Sequence, residues 1–396
     1  MHEDSQQRMQ ISNRINNIEA SQSLVMAARA KAMKAAGVDV ISMSLGEPDM
    51  DTPEHVRRAA QAAVDNHWSH YGPVPGIPAL REAVAASQNQ VAGNRIQWQA
   101  EDVLVSAGAK MAIFDAIQAA VNPGDEVIIP MPSWVSYSEM VKLAEGVVVP
   151  VSTSFDNRYC LTPDQLRQAL TPKTRMIILC SPNNPTGSIY SADEMEALVA
   201  VLKDFPEVYI LSDEIYNVLR YDEPGQINTF AAYPELAERL IVINGVSKAY
   251  AMTGYRVGWL LSKNKDFVSA CIRLQGQQIT CATMVAQKAA EAALTGSQDC
   301  VEHMRATFAR RRQLICEMAA AIPGLRFHEP QGAFYLFPDV SAFGSGNEVA
   351  ELLLEKAHVA VVSGSAFGCP SCIRLSYAIS EDEIRIAMSR IANVLN

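Results

Sequence analysis

Residues 240–261 read LIVINGVSKAYAMTGYRVGWLL, and two apolar runs, LIVIN (240–244) and VGWLL (257–261), flank a polar segment. Both runs are continuous rather than alternating, which is typical of strands buried on both faces of a sheet. Five upstream runs have the same character: VLVSA (103–107), EVIIP (126–130), VVVPV (147–151), MIILC (176–180) and VYILS (208–212). We therefore predict seven doubly buried strands between residues 103 and 261.

The segments between these strands determine the predicted fold class. The first three intervals each hold a helical pattern or a helix-capping residue, and alternating strands and helices indicate a mostly parallel sheet with right-handed crossovers. After about residue 300 the pattern changes to a long helix (298–321), short strands, a helix near 347–357 and a final helix. The sequence thus predicts an α/β fold followed by a smaller α+β domain.

The composition excludes several classes of protein. The chain of 396 residues is 49% hydrophobic and carries a net charge of −10 without a basic block, so we expect no nucleic-acid or anionic-membrane partner. The first ten residues, MHEDSQQRMQ, lack the apolar core of a signal peptide, and no run approaches the ~20 apolar residues of a transmembrane helix. Eight cysteines are too few for a disulfide scaffold, which favours the cytoplasm. The CxxC of Cys369 and Cys372 is predicted to be structural or incidental.

Residues that could contact a ligand follow two of the predicted strands at the point where each strand ends. In an open α/β sheet, ligands bind beyond the carboxyl ends of the strands. Gly108, Ala109 and Lys110 follow VLVSA at a predicted helix start, where free backbone N–H groups suit a phosphate. Asn184 follows MIILC within SPNNPTG and carries an amide that can donate a hydrogen bond. Each pattern taken alone is equally compatible with an ordinary turn.

A carboxylate and a lysine follow two further strands. Asp213 comes directly after VYILS, where a buried carboxylate needs a cationic partner, and Tyr216 can bring a phenol to the same place. Lys248 follows LIVIN; a lysine buried there has a lowered pKa and is a nucleophile toward carbonyls, although a surface lysine would fit the same spacing. Ser247 and Arg256 nearby suit a phosphate.

One ligand accounts for all four strand ends together. Pyridoxal 5′-phosphate (PLP) offers an aldehyde to the lysine, a ring nitrogen to the carboxylate and a phosphate to the glycine-containing helix start. The sequence therefore predicts PLP as the cofactor and no metal.

Seven motifs, in this order along residues 20–395, resemble those of the class I aminotransferases of PLP fold type I, specifically the bacterial aspartate/prephenate branch. The motifs are GEPDMDTPEHV (46–56), YGPVPGIPALREAV (71–84), NPGDEVIIPMPSWVSY (122–137), SPNNPTG (181–187), SDEIY (212–216), SKAYAMTGYRVGW (247–259) and IRLSYA (373–378). The resemblance implies an N-terminal arm (1–20), a small domain (21–46 with 298–396), a large PLP-binding domain (47–297) and a homodimer.

The resemblance also implies roles for the residues that match its motifs. Lys248 bonds to PLP and moves the proton, Asp213 pairs with the ring nitrogen, and Asn184 and Tyr216 contact the ring oxygen. The phosphate is held by four residues of this chain and one of the neighbouring subunit: Gly108, Ala109, Ser247 and Arg256, and Tyr71. Trp134 stacks on the ring, and Arg374 binds the substrate α-carboxylate beside the Gly46 backbone. Without the resemblance, Trp134 would be read as a core aromatic and Arg374 as part of a salt bridge.

Lys110 bears on the choice of substrate. Many relatives carry Ser or Thr at this position, whereas lysine is typical of the branch that accepts aspartate, glutamate and, in some members, prephenate. We expect Lys110 to pair with the distal carboxylate of a dicarboxylic substrate; the alternative is a lysine that faces phosphate or solvent. Ser21 and Ser23 correspond to small hydroxyl residues near that carboxylate, but Ala20 replaces the usual proline before them.

The sequence leaves rival functions open. An aminotransferase that prefers alanine, aromatic amino acids or prephenate would share these motifs, and so would a β C–S lyase. A PLP-sensing transcription regulator would need an N-terminal DNA-binding domain, but only about twenty polar residues precede the start of the family resemblance near residue 20. We therefore expect an aminotransferase for aspartate or glutamate and a 2-oxo acid.

Overall fold

The computed structural model describes residues 11–20, 22–222, 225–227 and 229–395, without the side chain of residue 23. Its strands are β1 (Ile41–Ser42), β2 (Val103–Ser106), β3 (Glu126–Met131), β4 (Val147–Ser152), β5 (Thr174–Cys180), β6 (Tyr209–Asp213), β7 (Leu240–Gly245), β8 (Gly258–Leu261), β9 (Tyr335–Leu336), β10 (Val359–Ala360), β11 (Val362–Ser363) and β12 (Ile373–Ser376). Seven of them form one sheet in the order β2-β8-β7-β6-β5-β3-β4. The predicted strands between residues 103 and 261 are thereby confirmed.

The direction of the strands also agrees with the prediction. Five adjacent strands of the sheet, β4, β3, β5, β6 and β7, run parallel to one another. Strand β8 is antiparallel to both of its neighbours, β7 and β2. The carboxyl ends of β5, β6 and β7 therefore lie at one edge of the sheet, which is the edge where an open α/β sheet binds its ligand.

Alternating residues of the central strands pack into two cores. Ile177 and Ile210 belong to the core on one face, and Ile178 and Leu211 belong to the core on the other. This alternation follows from the two-residue period of a strand, and it explains why the runs are apolar throughout. Strand β4 is the exception: it lies at the sheet edge and Val147 is 47% exposed, so the prediction of burial on both faces is wrong for this strand.

Helices surround the sheets and cover their faces. They are α1 (Asn13–Asn16), α2 (Gln22–Ala35), α3 (Glu54–Asp65), α4 (Pro78–Asn89), α5 (Ala109–Ala120), α6 (Ser136–Leu143), α7 (Pro163–Ala169), α8 (Ala192–Leu202), α9 (Val246–Ala249), α10 (Lys265–Gln278), α11 (Met284–Thr295), α12 (Asp299–Ala320), α13 (Gly346–Leu352) and α14 (Glu381–Leu395). Helix α12 matches the predicted helix at 298–321 within one residue at each end. None of the helices in the described ranges is both long and apolar enough to cross a membrane.

The C-terminal third of the chain, together with the N-terminal strand β1, forms two smaller sheets. Strands β11, β12 and β9 make an antiparallel sheet, while β1 pairs in parallel with β10. Apolar residues of these strands share a core with α12 and α14, and Phe308, Leu375 and Ile384 lie within it. The mixture of helices and antiparallel strands is the predicted α+β pattern. The division of the chain into an arm and two domains stays a prediction.

Candidate active site

A cavity of about 370 Å³ opens at the carboxyl edge of the large sheet. Residues from β5, β6 and α9 meet there with the start of α5 and with residues of β9 and β12. The lining residues are Leu24, Leu45, Gly46, Ala109, Lys110, Ile113, Trp134, Tyr137, Cys180, Asn184, Asp213, Ile215, Tyr216, Ser247, Lys248, Thr253, Arg256, Tyr335 and Arg374. A volume of this size is typical of a site for a small molecule.

Lys248 lies in α9, three residues after β7 ends. Its Nζ donates a hydrogen bond of 2.5 Å to the carbonyl oxygen of Gly46. Burial lowers the pKa of Lys248 to about 8, while the nearby carboxylate of Glu47 acts in the opposite direction. Near neutral pH, more of this amine is therefore unprotonated than in an exposed lysine, which suits a nucleophile.

Asp213 is the last residue of β6 and is 3% exposed. The phenol of Tyr137 donates to Asp213 Oδ2 at 2.6 Å, and the backbone N–H of Ile215 donates to Oδ1 at 3.2 Å. Burial raises the pKa of Asp213 to about 6, although these two hydrogen bonds favour the carboxylate. A carboxylate at the end of a buried strand is best stabilised by a cationic N–H partner.

Arg374 of β12 is 3% exposed, and its guanidinium reaches the cavity. Nη1 donates to Asn184 Oδ1 at 2.9 Å and Nη2 donates to the Ser44 carbonyl at 2.6 Å, while Nε has no partner among the residues that the structure describes. The guanidinium lies between the rings of Tyr335 (4.6 Å) and Phe367 (4.9 Å). A buried guanidinium that keeps a free donor suits a carboxylate ligand.

One short backbone segment, residues 44–46, contacts both Lys248 and Arg374. The carbonyl of Ser44 accepts from Arg374, and the carbonyl of Gly46 accepts from Lys248. A Cβ at Gly46 would collide with the hydroxyl of Tyr335, so this position has no room for another residue. The side chain of Leu45, between the two carbonyls, lines the cavity.

The start of α5 lies beside the guanidinium of Arg256. Gly108 precedes the helix with φ +87°, and a Cβ there would collide with Arg256. The guanidinium donates to the carbonyls of Thr253 (2.8 Å) and Ala107 (3.4 Å), which leaves further N–H groups for a ligand. Free N–H groups at a helix start next to an arginine are typical of a phosphate site.

Lys110, in the first turn of α5, turns toward the cavity. Its Nζ lies 4.7 Å from the ring centroid of Trp134, and burial lowers its pKa, with a further contribution from Arg256. Tyr216 also lines the cavity, and its hydroxyl lies 2.8 Å from that of Tyr335.

The structure brings the predicted site residues together at this cavity, with three exceptions: Tyr71, Ser21 and Ser23. Gly108 lies next to the lining residues, but Tyr71 is 89% exposed and is not part of the cavity wall. Ser21 and the side chain of Ser23 fall outside the described residues.

Two tyrosines that the sequence motifs did not single out hold site residues in place. Tyr137 fixes Asp213, and Tyr335 contacts Tyr216 and packs on Arg374. A weak sequence signal existed for Tyr137 only, which lies in the same motif as Trp134, three residues away.

The chain is similar to known proteins over nearly its whole length. The family model "Aminotransferase class I and II" matches residues 38–391. An aspartate/prephenate aminotransferase of Nitrosomonas europaea is 39% identical, over 98% of this chain and 100% of the relative. The structure of an aspartate aminotransferase from Rhizobium meliloti superposes with a TM-score of 0.94 at 38% identity, covering 98% of this chain and 99% of that one.

A second solved structure, an aspartate aminotransferase of Thermus thermophilus with maleate, has a TM-score of 0.92 at 39% identity and covers 98% and 100% of the two chains. Because each of these superpositions covers 98% of this chain, the aligned region includes the large sheet, the smaller sheets and the motifs that line the cavity. The lysine after β7, the carboxylate at the end of β6 and the arginine of β12 thus occur in a chain that belongs to the class I and II aminotransferases.

Proposed function

We propose that this aminotransferase uses PLP to transfer the amino group between a dicarboxylic amino acid, aspartate or glutamate, and a 2-oxo acid. The observation that carries the proposal is the presence of two cationic side chains, Arg374 and Lys110, in the same cavity as Lys248. A substrate with two carboxylates can pair with both cations while its amino group faces the lysine. A substrate with one carboxylate would leave Lys110, which is partly desolvated beside the cavity, without an anion to pair with.

The residues present fit PLP in three respects. The carboxylate of Asp213 is buried and its pKa is raised by that burial, so a protonated ring nitrogen would be a favourable partner. Gly108 leaves the start of α5 open beside Arg256, where a phosphate would be held. Because Arg374 occupies the carbonyl oxygen of Asn184, the Asn184 amide N–H groups remain available to a ring oxygen.

PLP, when bound, supplies an aldehyde that bonds to amines and a ring that withdraws electrons from the substrate Cα. Lys248 would attach to the cofactor and later carry the proton between the substrate Cα and the cofactor C4′. Asp213 would hold the proton on the ring nitrogen, and Tyr137 would fix the orientation of Asp213. Arg374 would orient the substrate by its α-carboxylate, with Trp134 stacked against the ring.

The names of the relatives agree with a dicarboxylic substrate. The Nitrosomonas europaea relative is an aspartate/prephenate aminotransferase, and the Thermus thermophilus enzyme was solved with maleate, which carries two carboxylates. Prephenate also carries two carboxylates, so the presence of Arg374 and Lys110 does not exclude it as an acceptor.

The direct experiment compares two reactions of the purified holoenzyme. Aspartate with 2-oxoglutarate should release oxaloacetate, and cystathionine should release little pyruvate. Half-reactions with aspartate, glutamate, alanine and phenylalanine, followed by cofactor absorbance, then rank the amino donors. Rapid pyruvate release from cystathionine, or a preference for alanine or phenylalanine, would contradict the proposal.

Lys110→Ser is expected to change the choice of substrate. A charge-assisted hydrogen bond to a carboxylate contributes about 1.5–3 kcal/mol, which corresponds to roughly 10–100-fold in kcat/KM. We expect kcat/KM for aspartate and glutamate to fall by that factor, while the values for alanine and phenylalanine stay nearly unchanged. Steady-state kinetics with aspartate and alanine on the same variant measure the difference.

Lys142→Ser is the matched control, because Lys142 is paired with Glu139 on α6 and does not line the cavity. It should leave both substrates unchanged. If Lys110 held the phosphate instead, Lys110→Ser would lower all substrates together and PLP would dissociate more readily. An equal loss for aspartate and alanine would therefore overturn the dicarboxylate proposal.

Tyr71 is proposed to reach the phosphate of the neighbouring subunit in a homodimer, which accounts for its exposure outside the cavity of its own chain. Co-expression of Lys248→Ala and Tyr71→Phe subunits with different tags yields hybrid dimers. If the sites are shared, one site of the hybrid lacks both residues and the other regains both. We expect the purified hybrid to show about one wild-type site, with wild-type PLP affinity.

The control for the hybrid carries both substitutions in one subunit, paired with a wild-type subunit. Shared sites then lack one residue each, so the control hybrid should contain no wild-type site. Removal of a charge-assisted hydrogen bond to phosphate should weaken PLP binding by roughly 10–100-fold. If both hybrids bind PLP alike, or if the protein is a monomer, Tyr71 does not contribute to a shared site.

A further inference from the structure

Cys369 and Cys372 lie at the two ends of a tight turn directly before β12. The backbone N–H of Cys372 donates to the carbonyl of Cys369 at 3.2 Å, and Pro370 occupies the second position of the turn, which proline favours. The two Sγ atoms are 3.3 Å apart. A disulfide has an S–S distance of about 2.05 Å, so the sulfurs need to approach by only about 1.2 Å.

The two thiols differ in exposure and in acidity. Cys372 is fully buried, whereas Cys369 is partly exposed. The hydrogen bond from the Cys372 thiol lowers the pKa of Cys369, with smaller contributions from the hydroxyls of Ser371 and Tyr159. Partial burial of Cys369 opposes this effect, and so, to a smaller extent, does the carboxylate of Asp339, which is itself paired with an arginine. Cys369 is therefore the thiol that solvent can reach and that more readily forms a thiolate, the form that reacts with disulfides.

The turn is connected at both ends to the surroundings of Arg374. Cys372 is separated from Arg374 only by the first residue of β12. Backbone hydrogen bonds join Gly364 to both cysteines, from its N–H to the Cys372 carbonyl (2.7 Å) and from the Cys369 N–H to its carbonyl (2.9 Å). Gly364 begins the short helix that contains Phe367, whose ring packs on the guanidinium of Arg374. A movement of the two sulfurs therefore acts on the strand that carries Arg374 and on the ring that covers it.

We propose that Cys369 and Cys372 form a reversible disulfide by exchange with low-molecular-weight disulfides, and that this disulfide weakens the binding of the substrate carboxylate at Arg374. The second part rests on the proposed function, which makes Arg374 the carboxylate site. The sequence alone predicted a structural or incidental role for the CxxC, because neither a helix N-terminus nor a second pair of ligands accompanies it.

The exchange balances in two steps. The thiolate of Cys369 attacks one sulfur of the small disulfide, forms a mixed disulfide and expels one small thiolate. The Cys372 thiol then loses its proton and attacks the sulfur of Cys369, which breaks the mixed disulfide and expels the second small thiolate. The protein pair gives up two electrons and two protons, and the small disulfide becomes two thiols. A dithiol reductant reverses both steps.

A metal site does not compete with this proposal. In the part of the chain that the structure covers, no cluster of three or more Cys, His, Asp or Glu side chains is placed to hold a metal ion. The hydroxyl of Tyr159, 3.3 Å from Cys372 Sγ, instead provides a hydrogen bond to the inner thiol.

The first experiment measures the disulfide without any assay of activity. The holoenzyme is incubated with oxidised and reduced glutathione at several ratios, then denatured, alkylated and digested. The mass of the peptide that contains residues 369–372 is measured by mass spectrometry. We expect this peptide to lose two hydrogens under oxidising ratios and to regain them with dithiothreitol. The Cys300→Ser variant, which removes a half-buried cysteine of α12, should behave as the wild type. If the pair remains reduced or ends as two glutathione adducts, the proposal is overturned.

The second experiment measures the effect on the carboxylate site. Misplacement of a binding group by about 1 Å can cost up to about a hundredfold, so we expect kcat/KM for aspartate to fall at least about tenfold on oxidation, mainly through KM. Cys369→Ser should be insensitive to glutathione, whereas Cys372→Ser, which lacks the resolving thiol, should stop at one glutathione adduct on Cys369 and form no internal disulfide. The dissociation constant of succinate, a dicarboxylate that cannot react, gives the same comparison without turnover. A disulfide that forms while succinate binding stays unchanged would refute the link to Arg374, whereas a reduced enzyme inactive on aspartate would refute only the proposed function.

Discussion

Replacement of Lys248 by alanine is expected to abolish transamination while PLP remains bound without a covalent link. Proton transfer by a positioned side chain contributes about 10²–10⁴-fold, and Lys248 also makes the bond to the cofactor, so the loss in kcat should exceed about 10⁴-fold. The contacts proposed for the phosphate and the ring come from other residues, among them Gly108, Arg256 and Asp213, and they should retain the cofactor. Steady-state kinetics and PLP absorbance after dialysis measure the two effects separately.

Chemical labelling tests the same assignment in the unmodified protein. Borohydride reduces the link between PLP and its lysine, and peptide mapping should then find the label on Lys248. Lys263→Ala is a matched control, because Lys263 is also partly buried but is paired with Asp102 outside the cavity. This control should keep both activity and the label. A label on any other lysine would disprove the role of Lys248.

Asp213→Asn is expected to lower kcat by about 10²-fold or more and to leave the fold intact. An uncharged amide cannot hold the proton on the ring nitrogen, and loss of one preorganised electrostatic contact in a dry site costs about 10²–10³-fold. The amide has nearly the same shape as the carboxylate, so the hydrogen bond with Tyr137 can be kept. Kinetics combined with thermal unfolding distinguish a loss of chemistry from a loss of structure.

Glu214→Gln provides the control for removing a buried negative charge at the same strand end. Glu214 follows Asp213 directly but does not line the cavity that Asp213 lines. Its carboxyl accepts hydrogen bonds from Thr229 (2.7 Å) and Gln88 (3.1 Å), and burial raises its pKa to about 7. Glu214→Gln should lower stability rather than kcat. If Asp213→Asn loses less than tenfold in activity, Asp213 is not the partner of the ring nitrogen.

The central part of the fold was predictable because buried parallel strands leave a simple trace in sequence. LIVIN, VYILS and MIILC are apolar throughout, and the residues that follow them must lie at one edge of the sheet. This reasoning places Lys248, Asp213 and Asn184 together from the sequence alone. The same reasoning failed for VVVPV, since the position of β4 at the sheet edge depends on the order of the strands, which hydrophobicity does not encode.

Other features depend on packing between distant segments. The hydrogen bond between Arg374 and Asn184 joins residues 190 positions apart, and no local pattern indicates it. Tyr335 stands within the apolar stretch GAFYLFP, where it resembles a core residue until the structure places its hydroxyl beside Tyr216. The resemblance to a family implied the proposed role of Arg374, whereas the supporting tyrosines became visible only in three dimensions.

The segment of residues 44–46 has a consequence for evolution and for engineering. Its contacts with Arg374 and Lys248 are made by main-chain carbonyls, and every amino acid has a carbonyl. Such contacts are inherited through the path of the backbone, so the exposed side chain at Leu45 can change without loss of either contact. Ser44 is fully buried against Ser42, and Gly46 is fixed by the hydroxyl of Tyr335. Leu45 lines the cavity and is therefore a position where a library of variants can alter substrate range while the two cations keep their anchors.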